Sequence, residues 1–388
     1  MAHAPQRRPL RIAIDVTALL PEQTGVDVFL VRLVEHLGRI DQENDYRIYV
    51  NYEDRDLLRD QLPANFAVVP LALRPRSVRL LGQQIGLPVQ AAALHVDVVH
   101  SPSFIMPMYR GRARHVLTVH DMTSFTRPDT HSILHGSEVY RWAVRTSIRR
   151  SDLVTVPSLH SKRSILDQVA GVASGKIEVV ALGVGDEFTF KPSPSDRQVI
   201  ARLGLPEPYI LFVGTLEPRK NLGRLVEAYR RLIASGATVE RLVIAGRLGW
   251  RYGELLARLD DPELRGRVHV AGYVAAEDLP AVYRSARLFV YPSIEEGFGF
   301  PPLEAMACGV PTVSSSTSSL QENLDGAACL VDPYNVDALA AAIRQLLTDE
   351  PERSRLRAAG IERAARFCWN ETARHMLGCY QKAHACRP

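Results

Sequence analysis

The feature that most constrains this chain is a repeated alternation of a short apolar run, a turn and an amphipathic stretch. Runs of five or six residues rich in Val, Ile and Leu recur in two series. The first is Leu10–Asp15, Tyr46–Asn51, Phe66–Pro70, Asp97–Ser101, His115–His120, Asp152–Pro157 and Lys176–Ala181. The second is Tyr209–Gly214, Arg241–Ala245, Arg267–Ala271, Arg287–Tyr291 and Val310–Ser314. Near-continuous apolar strands are those of parallel sheets covered on both faces. Helical periodicity between them, as in Val28–Leu37, Arg224–Ile233 and Val336–Leu347, predicts right-handed βαβ crossovers and an α/β fold. Asp186–Asp196, with Pro192 and Pro194 at alternate positions, can continue neither helix nor central strand. It divides the 388 residues into two doubly wound, Rossmann-like halves. The expected domains are 1–188, 189–365 and a helical tail, 366–388, packing back across the interface. Such sheets bind ligands at their carboxyl ends, so a cleft between the two halves is the expected site.

Composition narrows the class. With 46% apolar and 23% charged residues the chain can bury a large core. No apolar run approaches bilayer length. The first residues read as a strand rather than a signal peptide. Five cysteines, Cys308, Cys329, Cys368, Cys379 and Cys386, show no CxxC spacing, so a reducing cytoplasm fits better than a disulfide framework or a zinc site. The net charge of +4 hides a bias: residues 74–163 hold thirteen basic and five acidic side chains. Arg141, Arg145 and Arg149 recur at helical spacing, and Arg74, Arg76 and Arg79 lie upstream. This excess either forms a solvated face or docks on an anionic membrane or a lipid pyrophosphate.

Four segments carry the chemistry. In Ser293–Pro311 a strand ends at Pro292, and a loop with Gly297, Phe298 and Gly299 leads to a short helix expected from Pro302 to Cys308. Backbone amides there favour an anion. Glu296 and Glu304 would then reach for neutral hydroxyls; otherwise Glu304 complements the helix dipole from the first turn. After the strand YILFV, Gly214 precedes Arg219 and Lys220 at an expected helix start. Cations are unusual there, so either an anion lies between them and the amides or both are solvated. His120 ends a strand next to Asp121, as a partner for a substrate hydroxyl or as a buried histidine satisfied by that aspartate. Gly25, in a turn before the first helix, permits close backbone approach or is a plain turn. Asp54-Arg55-Asp56 is better explained as a helix start than as a metal motif. His131 and His135 lack a third ligand, Gly183-Val184-Gly185 lacks the third glycine of a dinucleotide loop, and no Walker sequence occurs.

These segments together resemble retaining family-4 glycosyltransferases of the GT-B architecture. The likeness rests on the E-x7-E spacing of Glu296 and Glu304 within EGFGFPPLEAMACGVP, on GTLEPRKN (Gly214–Asn221), IAGRLGW (Ile244–Trp250) and GYVAAEDLPAVYRSARLFVYPS (Gly272–Ser293). It is dense over 209–335 and sparse before 190. The resemblance implies that Arg219 and Lys220 hold a diphosphate, that Glu296 and the amides of 297–299 meet the donor sugar, and that Glu304 binds ribose. It further implies that the backbone at Tyr273 and Val274 reads the base, that His120 meets the sugar, that Gly25 approaches the phosphates, and that no metal or other cofactor is needed. The expected partners are a nucleotide sugar, a glycan or polyprenyl-pyrophosphate-linked glycan acceptor and an anionic inner-membrane face, with no nucleic acid. The block around Glu304 looks most like mannosyl- and rhamnosyltransferases of bacterial surface-polysaccharide assembly, with GDP-mannose the expected donor and dTDP-rhamnose or UDP-hexoses the alternatives. An epimerase or phosphorylase on the same architecture, or a non-catalytic nucleotide-sugar sensor, remains a rival reading.

Overall fold

The computed structural model describes residues 8–19, 24–56, 62–71, 82–130, 136–237, 240–250, 253, 258–259 and 261–385. Two all-parallel sheets account for the expected strands. The first holds β1 (Arg11–Asp15), β2 (Asp45–Asn51), β3 (Phe66–Leu71), β4 (Val98–Ser101), β5 (Arg114–Thr118), β6 (Leu153–Val156) and β7 (Ile177–Val179), in the order β3-β2-β1-β4-β5-β6-β7. The second holds β8 (Tyr209–Val213), β9 (Arg241–Ala245), β10 (Val268–Gly272), β11 (Ala286–Tyr291), β12 (Thr312–Ser315) and β13 (Cys329–Val331), in the order β10-β9-β8-β11-β12-β13. Each is a doubly wound sheet whose first strand sits in the middle. Its topological switch point lies between β1 and β4 in one case and between β8 and β11 in the other. Strand β13 was not expected: three half-buried residues make no apolar run.

Two compact units contain these sheets. Unit 1 is 1–125, 137–183 and 369–388; unit 2 is 126–136 and 184–368. The division therefore falls after Gly183 rather than at 188, and the short stretch Thr126–Gly136 belongs with the second sheet.

In unit 1, α1 (Gly25–Ile40) starts three residues before the expected Val28. The N–H and Oγ1 of Thr24 both donate to Asp27 Oδ2, at 2.7 and 2.6 Å, which satisfies the helix start locally. Gly25 is consequently the first helical residue and not a loop residue. The expected tail is one helix, α12 (Trp369–Ala385), which belongs to unit 1, whereas α11 (Glu350–Ala364) before it belongs to unit 2. Trp369, Ala373, Met376, Tyr380 and Ala383 are buried at spacings of three and four, one apolar stripe of an amphipathic helix. Trp369 lies against Phe29 of α1, with ring centroids 6.4 Å apart. A Cβ on Gly183 would meet the Trp369 backbone nitrogen at 2.3 Å, so this crossing needs glycine.

A polar chain runs beneath α12. His100 on β4 hydrogen-bonds Tyr380 OH through Nδ1 at 2.9 Å and Thr118 Oγ1 through Nε2 at 2.7 Å. Burial, aided by the nearby His120, pushes the His100 pKa down to about 3, so the ring is neutral and depends on both partners. Tyr380→Phe removes one partner from a buried polar atom and should cost about 1–3 kcal/mol. Urea unfolding followed by far-ultraviolet circular dichroism checks this; an unchanged midpoint would contradict it.

Candidate active site

The second sheet delivers two loops to its switch point. One follows β8 and the other follows its neighbour β11, paired through Leu211 and Phe289. Asn221, at φ 62°, stitches them: its Nδ2 donates to the carbonyls of Pro292 (3.0 Å) and Pro333 (2.7 Å). The Arg219 carbonyl accepts from Ile294 N at 2.9 Å. Alongside, Gly246 at φ 142° lets β9 pass so close that a Cβ would sit 2.0 Å from the Gly214 carbonyl oxygen. Only glycine permits that approach.

Arg219 and Lys220 do not start a helix. Pro218–Lys220 is one 3-10 turn, and α6 (Leu222–Ala234) begins after Asn221. The anion that their placement demands is supplied by the chain itself. Lys220 Nζ lies 2.7 Å from Glu296 Oε1, and an Arg219 terminal nitrogen lies 2.8 Å from Glu296 Oε2. Arg219 also reaches Glu217 at 2.7 Å and the Glu295 carbonyl at 2.6 Å. Tyr291 OH (3.0 Å) and Ser293 Oγ (2.6 Å) donate to the same Glu296 Oε1, and Lys220 donates to Tyr291 OH at 2.7 Å. Four donors thus converge on one buried carboxylate, three on Oε1 and one on Oε2. Burial alone would lift the Glu296 carboxyl, but the Arg219 and Lys220 charges and the hydrogen bonds from Lys220 and Ser293 outweigh it and hold the group well below the usual carboxylate range. Burial and the Glu296 charge push the Tyr291 hydroxyl well up, so it stays a donor.

The serines at 318 and 319 hold the same residue from behind. Ser318 Oγ accepts from Glu296 N at 3.0 Å, and Ser319 Oγ donates to Glu296 O at 2.9 Å. Glu295 turns the other way, accepting from Thr126 Oγ1 at 3.0 Å and pairing with Arg127 at 3.6 Å.

The helix after this loop, α8 (Phe300–Ala307), begins two residues earlier than expected. Pro301 and Pro302 occupy the second and third helical positions and carry no N–H, so the helix start is poor in donors. Glu304 falls beyond the first turn, which removes the dipole account of it; instead it is half-buried and accepts from Tyr283 OH at 2.8 Å. Gly299 has φ 93°, and a Cβ there would meet Leu320 at 2.6 Å. Phe298 is a packing residue, edge-on to Phe300 and Phe367 at 5.1 and 5.6 Å, and its carbonyl accepts from Asn323 at 2.8 Å. At the end of β10, Tyr273 is exposed and Val274 buried. Gly214, Arg219, Lys220, Tyr273, Glu296 and Gly297 therefore share the carboxyl edge of one sheet.

In unit 1, His120 is not paired with Asp121, whose carboxylate accepts from Thr123 N and Oγ1 at 2.9 and 2.6 Å. His120 Nε2 donates to the Pro102 carbonyl at 2.8 Å, and the ring stands edge-on to Phe29 and Phe104. Burial lowers its pKa against the raising effects of Pro102 and Asp121. The ring is neutral, and its Nδ1 is an acceptor. Gly25 is exposed on the first turn of α1.

The arginine face is divided. Arg141 pairs with Glu138, and Arg145 pairs with Glu138 at 3.6 Å while lying over the Phe125 ring. Arg149 is exposed. Arg74, Arg76 and Arg79, like His131, His135 and Cys386, lie outside the described residues. Cys308, Cys329 and Cys379 are free thiols. Among the described residues no group of three or more His, Cys, Asp or Glu could hold a metal ion, and no helix is long and apolar enough to cross a membrane.

Tyr291, Ser293, Glu217 and Ser318 were not singled out in the sequence. A usable signal existed for Tyr291 and Ser293, which flank the proline that ends β11. None existed for Thr126 and Arg127, 169 and 168 positions before Glu295.

Above an unfolded carboxyl value near 4.5, ionised Glu296 stabilises unit 2, and that contribution decays as pH falls toward the depressed folded value. Glu296→Gln leaves two cations facing a neutral amide and should cost about 3–5 kcal/mol at pH 7. The gap between variant and wild type should narrow below about pH 4.5. Denaturation at neutral and acid pH measures it; a gap that does not change with pH would contradict the ion-pair account.

Comparison with known proteins agrees with this geometry. Residues 196–363 match the model of glycosyl transferases group 1, and residues 23–188 match that of Glycosyltransferase Family 4. An O-antigen chain mannosyltransferase B of Escherichia coli is 33% identical over 285 residues, 73% of this chain and 74% of that protein. Among solved structures, a sucrose-phosphate synthase from Thermosynechococcus elongatus superposes with a TM-score of 0.79 at 20% identity, over 97% of this chain and 100% of the other. The Anabaena protein HepE in complex with UDP-glucose does so at 0.76 and 19%, over 96% and 100%. The chain belongs to the family-4 glycosyltransferases of the GT-B architecture.

Proposed function

We propose that this glycosyltransferase moves mannose from GDP-mannose to a glycan hydroxyl in polysaccharide assembly, with retention of the anomeric configuration and without a metal. The observation that carries the reading is the pair of half-buried Arg219 and buried Lys220 at the β8–β11 switch point, fixed by Glu296. The mannosyl assignment draws on the E. coli O-antigen relative; dTDP-rhamnose and UDP-hexoses are the competing donors.

The chemistry follows from charge. As the bond from the anomeric carbon to the donor phosphate opens, the sugar approaches an oxocarbenium state and negative charge grows on the leaving diphosphate. Fixed cations lower that barrier because they are held in place before the charge appears. Lys220 spends two of its three N–H donors on Tyr291 and Glu296, which leaves one for a phosphate oxygen. In this reading Glu296 sets the two cations: three donors fill its Oε1, and Oε2, which meets Arg219, keeps a second lone pair for a sugar hydroxyl. Glu304 is the carboxylate suited to ribose hydroxyls, and the backbone at Tyr273 and Val274 to the base. His120 Nδ1 can accept from a sugar hydroxyl, and the Gly25 amide is a candidate phosphate donor. The departing phosphate oxygen takes the proton of the attacking hydroxyl on the same face.

Lys220→Met, which keeps the apolar stem of the side chain and drops its ammonium group, is expected to lower kcat by about 10²–10³ with a folded protein. Turnover of GDP-mannose with a mannan-oligosaccharide acceptor, with products identified by mass spectrometry and anomeric configuration by NMR, tests the proposal. A product formed from another donor alone, or conversion of donor without acceptor as an epimerase would give, rejects it.

A further inference from the structure

We propose that unit 1 docks on an anionic lipid bilayer through the outer stripe of α3 (Glu138–Arg150) and the adjacent loop at Tyr109. The stripe is defined by helical geometry. Val139, Trp142, Arg149 and Arg150 fall on one side of α3, because positions seven and eleven apart nearly coincide around a helix. The opposite side, with Val144, Ser147 and Ile148, is buried. Val139 is 76% and Trp142 59% exposed, and among the described residues of unit 1 nothing covers the pair.

The neighbouring loop extends the patch. Ser147 Oγ on α3 accepts from Met106 N at 3.2 Å, and Arg150 donates to the Met108 carbonyl at 3.1 Å. This sets Tyr109, 68% exposed, beside the basic end of the stripe. Gln84 holds the other side of the loop through Met106 O and Met108 N, at 3.3 and 2.8 Å. Ile85 and Val89, both more than 60% exposed, follow on that side.

Charge selects the occupant. Arg149 and Arg150 donate only to the carbonyls of Ala170 and Met108, and no carboxylate among the described residues pairs with either. Lys176 Nζ donates to the Arg149 carbonyl at 2.7 Å, which adds a third cation. The one acid of α3, Glu138, is taken up by Arg141 and Arg145 on the adjoining stripe. A protein partner would ask for a shaped hydrophobic core and charge pairing. A row of exposed Trp, Tyr and Val bordered by uncompensated cations instead matches the chemistry of the lipid interface, where indole and phenol rings sit at headgroup level and Arg meets phosphate. Of the cations expected to make this contact from sequence spacing, Arg141, Arg145 and Arg149, the structure ties the first two to Glu138 and leaves Arg149, with its neighbour Arg150, on the exposed stripe.

The test uses the full chain, without any nucleotide sugar, so it stands apart from the donor assignment. The chain is sedimented with vesicles of phosphatidylcholine alone or mixed with phosphatidylglycerol. It should partition onto the mixed vesicles and stay in solution with the neutral ones. The double substitution Arg149→Ser with Arg150→Ser should weaken partitioning by roughly 30-fold. Brominated acyl chains should quench the tryptophan emission of the wild type and not of Trp142→Phe. All three sites are exposed, and thermal unfolding confirms that the variants fold. Equal partitioning onto neutral vesicles, wild-type partitioning by the double variant, or a wild-type dimer that Trp142→Ser dissociates would overturn the proposal.

Discussion

Everything at the candidate active site depends on one buried carboxylate. Two cations on consecutive residues repel each other and are costly to desolvate. Glu296 offsets both costs by meeting Lys220 with one oxygen and Arg219 with the other. The surrounding residues serve that contact. Tyr291 and Ser293 donate to the same oxygen that Lys220 meets, Ser318 and Ser319 fix the Glu296 backbone, and Asn221 holds the two loops together. Such a centre is preorganised: its charges are fixed by the fold before any ligand arrives.

The fold explains why these residues meet. A doubly wound sheet starts in the middle and winds outward in both directions, so the loops after its first and fourth strands become neighbours although they lie far apart in the chain. In unit 2 that brings Lys220 and Glu296 together across 76 positions. The equivalent edge of unit 1 carries His120, neutral and edge-on to two phenylalanines.

Much of this architecture was legible locally. Twelve of the thirteen strands were visible because a parallel strand buried on both faces is an apolar run, and the missing one, Cys329–Val331, is too short and too exposed to make one. The residues of the site were legible from turn chemistry: Gly214 after β8, and the glycines and prolines after β11. Their partners were not. Nothing in the sequence pairs Glu296 with Arg219, and a cation next to an expected helix start pointed to a bound anion where the structure supplies a glutamate. The early start of α8 was hidden for a similar reason. Proline at the first helical position is the usual pattern, whereas here Pro301 and Pro302 hold the second and third. The division of the arginine face of α3 depended on Glu138 and Phe125, whose contacts need coordinates to be seen.

The central claim is that Arg219 and Lys220, set by Glu296, form the diphosphate site. Titration calorimetry of GDP against GMP, on the wild type and on Lys220→Met, isolates that contact because the two ligands differ only in the second phosphate. The account predicts a clear preference for GDP that collapses in the variant while GMP binding barely changes. A preference for GDP that survives the loss of the Lys220 charge would contradict it.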